Sequence, residues 1–598
     1  MKLPSIPYLA DAFLQVVRRF PLVMTATAFG VVVSMILIER DSGTEGEAYI
    51  KLLLPCLVGL STLLCAAIVC ERWQLRFPSA LAAHLVALGL LAIYYFSLRA
   101  IPDLDESTTP IRFIGLNLAA HLGVAFIPYL DRSPVEDFWE YNKRLFGNFM
   151  VGAFYSLVIF AGLGFAILAV NELFNLHIDG KIYAHLFVVI AGFFNTAYFL
   201  AHFPKRFDFA TENAENQELA ETTNLFTSPL KNLTKFILIP IVAIYFLILY
   251  AFSAKILLTW ELPEGWVGKL VLGFSVAGIF TYLLNYLLVK YDDSMAVKGF
   301  RRWFFFVLLP MVVLLFVAIG RRISDYGVTE SRYVVAIAGV WLLLMSVYFI
   351  ASKRDNIKFI PISLAFFALL TVLGPFSAFK VSERSQIGRL KAIFEKNNMF
   401  VDGKLVAAQD TISRQDAGEI ESAIVYLRSK EKLDEVTPWF GVPKDSLEDW
   451  QGAYNTLKKL GISTDPNVVP NTCYIYFDRN TPKAIDVAGY DLLYVVYLYG
   501  DQTLASNFSG FDISKGGHSL QYYEAGEKRD SFDLLPYLQR LEAGEACSKP
   551  TQADSMAIYE ATSAAYQFKL VTDNLSFEKT GNWKLRELTG KMLLRKKQ

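Results

Sequence analysis

The residues best equipped for chemistry crowd one stretch, Gly320 to Tyr333 (GRRISDYGVTESRY), which holds Arg321, Arg322, Asp325, Tyr326, Glu330 and Arg332. Guanidinium groups grip a phosphate or carboxylate through paired N–H donors, and an acid beside them can act as a base toward the bound group. The same charges can equally be spent on each other as ion pairs. Lys255, Glu261 and Glu264 lie on a neighbouring segment and extend the candidate cluster. A structural clamp is the default reading, and a site for an anionic ligand is the sharper one.

Other chemistry is sparse. The sequence has no GxxxxGK loop, HExxH, GxSxG or CxxC pair, so no cofactor, metal or catalytic residue is assigned. His518, in KGGHS, could join Asp512 and a serine in a triad, but without an elbow motif it reads as a loop histidine. His84, His121, His185 and His202 fall in or near apolar runs, with Asn117 one helical turn before His121. Polar groups in lipid are functional candidates, either as a His/Asn proton or metal site or as hydrogen bonds between helices. No Asp or Glu falls in the middle of an apolar run, so the usual carboxylate of a coupled carrier is missing.

The elements that must position these residues are membrane helices. Hydrophobic residues make up 54% of the 598 and charged residues 19%. Apolar runs lie near 22 to 38, 52 to 70, 80 to 98, 111 to 130, 145 to 170, 182 to 203, 235 to 254, 267 to 289, 303 to 319, 334 to 351 and 359 to 378. Each is long enough as a helix to cross about 30 Å of hydrocarbon, where the backbone must satisfy its own hydrogen bonds. The chain thus reads as an α-helical polytopic membrane protein with about eleven spans. Residues 1–20 form an amphipathic segment, 21–379 the bundle and 380–598 a soluble α+β domain.

With the N-terminus inside, the inner segments carry about twice as many Lys and Arg as the outer ones, the asymmetry that orients membrane proteins. Eleven spans then put the C-terminal domain outside the cytoplasm. Arg18 and Arg19 precede an apolar run without a small-residue cleavage site, so the first span is retained. Cys56, Cys65 and Cys70 read as packing residues. Cys473 and Cys547 either form a disulfide in an oxidising compartment or stay free.

Local patterns add detail. Val135 to Phe146 reads as a cytoplasmic interfacial turn of helix, and Gly147, Gly152, Gly162 and Gly164 suit close helix contact. FILIPIV (Phe236 to Val242) and FVLLPMV (Phe306 to Val312) share a proline position, either as two kinked helices side by side or by chance. Past residue 380, helices are expected over 381–398, 417–432, 446–460 and 532–541. Strands are expected at 473–477, 490–500, 520–524 and 565–571.

The pieces RFP (Arg19 to Pro21), Ile237 to Trp266, Leu308 to Tyr333, SQIGRL (Ser385 to Leu390) and DGK (Asp402 to Lys404) resemble the bacterial membrane family filed as domain of unknown function 4153. The resemblance implies a polytopic protein of the bacterial cytoplasmic membrane and brings no activity, substrate or site residue. Three functions remain open: a membrane-anchored envelope protein whose outward domain binds a protein partner or senses a signal, a transporter or permease subunit, and a membrane enzyme acting on a lipid-linked anionic substrate. The lipid bilayer is the one partner common to all three, and no nucleic acid is expected.

Overall fold

The computed structural model describes residues 6–40, 44–99, 108–209, 229–259, 266–352, 355–408, 412–448, 450–462, 472–476, 485, 487–499, 508–514, 517–543, 557–563, 565–580 and 582–597. Contacts divide the chain into two compact units, residues 1–392 with 423–432, and residues 393–422 with 433–598.

The first unit is helical. An amphipathic helix α1 (Ile6–Arg19) leads into α2 (Pro21–Glu39), α3 (Thr44–Arg72), α4 (Phe77–Arg99), α5 (Thr108–Phe126), α6 (Val135–Phe174) and α7 (Lys181–Ala201). After these come α8 (Ile239–Thr259), α9 (Trp266–Tyr291), α10 (Met295–Tyr326), α11 (Glu330–Ala351), α12 (Phe359–Val372) and α13 (Ala378–Lys396). Among the described residues, ten helices are long and apolar enough to cross a membrane.

Side-chain bonds sort the helix ends onto two faces. On the first face, Arg19 grips Glu71 with both carboxylate oxygens at 2.8 Å and donates to the carbonyls of Phe203 and Pro204. Arg72 pairs with Asp131 and Asp208 at 2.9 Å. Lys231 and Lys235 both hold Asp292 at 3.1 Å. The Ser294 N–H and these two lysines keep the Asp292 carboxyl well below the usual carboxylate range. Lys290 meets Glu136, and Arg301 pairs with Asp355. On the second face Glu39, at the end of α2, bonds His185 at 2.6 Å and Lys181 at 3.5 Å, at the start of α7.

The eleventh expected span is short. α12 has 14 residues, about 21 Å at 1.5 Å per residue. It nevertheless joins the two faces. Lys358 at its start donates to the carbonyls of Tyr129 and Ser133 on the first face, and Tyr333 of α11 bonds the Phe376 carbonyl on the second. Between these ends α12 packs on α5, where Val372 leaves no room for a side chain at Gly115.

Three local expectations sharpen. Val135 to Phe146 is helical, as expected, and runs without a break into the following span as one 40-residue helix. Of the glycines in α6, Gly152 is a close contact, 2.7 Å from Asn195 Oδ1 to where its Cβ would sit, whereas Gly162 meets nothing within 4 Å. The two proline patterns lie on neighbouring helices, with the Tyr250 hydroxyl on the Val307 carbonyl at 2.9 Å. They differ in form. Pro240 follows a π-helical turn, Leu233–Leu238, while Pro310 sits inside an α-helix.

The second unit is β-rich. Strands β1 (Phe400–Val401) and β2 (Lys404–Leu405) form a small hairpin. The helix Arg414–Ser429 begins at Ser413, whose Oγ accepts the Asp416 N–H at 3.1 Å. A five-stranded antiparallel sheet is built from β3 (Thr472–Tyr476), β4 (Leu492–Tyr499), β8 (Ile558–Thr562), β9 (Tyr566–Thr580) and β10 (Asn582–Lys596), in the order β3-β9-β10-β4 with β8 also on β9. A three-stranded sheet joins β5 (Gly510–Ile513), β6 (Ser519–Glu524) and β7 (Glu527–Asp533). Phe511, Phe532 and Phe568 stack between them, and the helix Leu535–Ala543 buries Leu538 and Leu541 completely. The four expected strands are present, and the helix over 532–541 starts at Leu535. β5, β7, β8 and β10 lie outside the expected strands; β7, EKRDSFD, is mostly charged and has a single large apolar residue.

Candidate functional site

The charged stretch is mostly helix. α10 continues past Ile319 through Arg321, Arg322, Asp325 and Tyr326, and the chain turns only over Gly327 to Thr329 before α11 begins at Glu330. The turn needs a glycine. Gly327 has φ +72° and stands 3.0 Å, from where its Cβ would be, to Gln386 Nε2.

Each candidate residue has a definite place. Arg332 donates Nη1 to the carbonyls of Tyr326 and Gly327 at 3.1 and 2.8 Å, closing the end of α10, and lies over the Tyr326 ring. Glu330, in the first turn of α11, is buried and accepts the Tyr426 hydroxyl at 2.7 Å. Arg321 approaches Asp325 only to 3.9 Å, with both side chains more than half exposed. Arg322 is half-buried. Lys255 is exposed on α8 and does not line the cleft described next, while Glu261 and Glu264 lie outside the described residues. The Cys473 side chain and Cys547 also lie outside them, so the expected bridge does too.

The turn is held by residues that the charge pattern did not single out. Ser385 Oγ accepts the Val328 N–H at 3.0 Å, Gln386 Nε2 donates to the Val328 carbonyl at 3.0 Å, and Arg389 donates to the Asp325 carbonyl. All three belong to SQIGRL. Lys430 reaches Thr108 at the start of α5 at 3.3 Å. The fastening of 378–392 and 423–432 to the helix ends therefore runs through backbone N–H and carbonyl groups, the Thr108 hydroxyl and Glu330. Among the described residues, the arginines of α10 take no part in it.

Those arginines line a cleft of about 350 Å³ between the start of α9, the end of α10 and the start of α11. Among the described residues, Lys269, Arg321, Arg322 and Arg332 face it together with one carboxylate, Asp325. Its deeper wall is apolar: Leu315, Ile319 and Val335. The arrangement can hold an anion through several charge-assisted hydrogen bonds.

The other chemical candidates are engaged structurally. His121 bonds Ser61 of α3 at 2.9 Å and the Asn117 carbonyl of its own helix at 2.8 Å, an interhelical hydrogen bond. His518 Nδ1 lies 3.2 Å from the Trp583 carbonyl and Nε2 3.3 Å from Asp533, so its acid neighbour is Asp533. Among the described residues no group of three or more His, Cys, Asp or Glu is placed to hold a metal.

A bundle of ten long apolar helices, with its charges gathered on two opposite faces and a β-rich C-terminal region, defines a multi-pass integral membrane protein. The chain belongs to the family described as Domain of unknown function (DUF4153), whose model matches residues 26–395. It is similar to the uncharacterized protein PM1469 of Pasteurella multocida (strain Pm70), at 25% identity over 405 residues, covering 66% of this chain and 62% of that protein. The chain thus matches less than two thirds of that relative's length. No solved structure matches. The family match takes in the cationic cleft and SQIGRL, and ends three residues beyond the first unit's boundary at 392.

Proposed function

We propose that this is a membrane-anchored envelope protein of the bacterial cytoplasmic membrane whose C-terminal unit, outside the cytoplasm, binds a protein partner by adding a strand to its sheet. One observation carries the reading. β4 ends the five-stranded sheet, and among the described residues no strand pairs with its outer edge. Tyr494, Val496 and Leu498 point to the core, whereas Leu493, Val495 and Tyr497 are 53%, 61% and 68% exposed. An uncharged apolar edge is a template for another chain, and proteins that do not use such an edge blunt it with lysine or proline.

The outward placement is supported by charge and connectivity. Of the Lys and Arg beside the spans, about twice as many fall on the segments of the first face as on those of the second, as on cytoplasmic faces. Residues 378–392 and 423–432, which precede and follow the first part of the C-terminal unit, lie on the second face. A carrier reading gains less, because the described Ser and Thr hydroxyls within the spans largely bond carbonyls of their own helices.

The test uses the full chain in its native membrane. A photocrosslinking residue at Tyr497 should capture one partner, a probe at buried Phe568 should not, and Val495→Lys should abolish the adduct. Equal capture from both positions, or an adduct indifferent to Val495→Lys, would sink the proposal. A cysteine at Lys528 should react with a membrane-impermeant maleimide on intact spheroplasts. Labelling only after lysis would overturn the placement.

A further inference from the structure

We infer that the cleft at the end of α10 is a binding site for a phosphate-bearing anionic group, with Arg321 and Arg322 as its principal donors. The inference is independent of the partner-binding role of the C-terminal unit.

Charge is the first argument. Among the described residues, three arginines, Arg321, Arg322 and Arg332, face one carboxylate, Asp325, around the cleft. Arg332 and Arg389 act on each other as like charges, as do Arg332 and Arg322. A cluster that repels itself is unfavourable unless an anion neutralises it. Among the described residues, the other acid of this stretch, Glu330, is buried under Tyr426.

Donor supply is the second. Both hydrogen bonds of Arg332 use Nη1, and Arg322 makes no hydrogen bond or ion pair with another described residue. Arg321 stands at 3.9 Å from Asp325, too long for a good hydrogen bond. These groups retain N–H donors in the fork geometry that suits phosphate oxygens.

Shape is the third. The cations sit at the mouth, and Leu315, Ile319 and Val335 continue the wall onto helices that run into the hydrocarbon. A free phosphate has no use for that wall. A phosphate joined to acyl chains, as in a lipid headgroup, places its charge at the arginines and its first chain atoms along the apolar side chains, so the geometry favours the lipid source.

Full-length protein in neutral detergent, titrated with dioleoylphosphatidylglycerol, dioleoylphosphatidylcholine or inorganic phosphate and read by native mass spectrometry, tests this. Cations on the first face will also attract anionic lipid, so the readout is the change caused by variants in the cleft. Arg322→Gln and Arg321→Gln should each weaken the tightest phosphatidylglycerol event about tenfold, the loss of one charge-assisted bond. Asp325→Asn, which removes the opposing carboxylate, should tighten it, an outcome that misfolding cannot imitate. Phosphate binding with the same variant dependence would assign a soluble phosphorylated ligand, and lipid binding alone would assign a headgroup. Variant-independent binding, or equal binding of phosphatidylcholine, would overturn the inference.

Discussion

The Tyr426 hydroxyl donates to the buried Glu330 carboxylate at 2.7 Å, joining residues 96 apart in the chain. Tyr426→Phe removes the donor and leaves a buried carboxylate short of a partner, which costs about 1–3 kcal/mol. The melting temperature of the full-length protein in detergent should fall, and Glu330→Gln should cost less, since the amide oxygen still accepts. Burial, then the bond to Glu330, raises the Tyr426 pKa above its ordinary value. Its contribution is therefore complete below about pH 10 and is lost as pH rises beyond that.

Asp416 behaves in the opposite sense. Burial pushes its pKa up, but bonds from Lys396, Asn397 and Ser413 outweigh this and hold it below the usual carboxylate range. The stabilisation is present above about pH 4 and is lost as pH falls through the lowered value. An acid titration of far-UV circular dichroism should show Asp416→Asn less stable than the parent at pH 7, with the gap closing toward pH 3. A constant gap would remove the ionised carboxylate from the explanation.

Arg19 anchors the first face with four hydrogen bonds. Its guanidinium serves Glu71 twice and two carbonyls besides. Arg19→Lys cannot reproduce this fork and should lose about 2 kcal/mol. Equal melting temperatures for the parent and the lysine variant would show that charge alone matters there.

Gly278 of α9 faces the Phe304 ring of α10 so closely that an added Cβ would overlap it. Gly278→Ala should destabilise the full chain by about 1–3 kcal/mol, as overpacking does, whereas Gly162→Ala, with nothing near it, should be neutral or better. Thermal melts of the two variants side by side check this.

Membrane helices were the most legible part of the chain, because long apolar runs leave the backbone no alternative in lipid. Their lengths were less so. Residues 373–377 are as apolar as many helices, yet Leu373 is extended and Gly374 has φ +77°, which ends α12 early. The cationic stretch was legible as a cluster, but its partners were not. Tyr426, Gln386 and Ser385 meet it from far along the sequence, and neutral hydrogen-bonding groups leave no charge pattern to read. β4 was legible as a strand, whereas its exposed face depends on which strand lies beside it.

The short reach of α12 has a consequence for the lipid around it. Phe366, Leu369, Leu373 and Phe376 are exposed along this crossing. A helix of about 21 Å beside neighbours that cover the full hydrocarbon depth imposes a local mismatch, and a bilayer meets such a mismatch by thinning. The membrane should therefore be dimpled on that flank, drawing headgroups inward near α12 and giving the protein a preference for thinner bilayers.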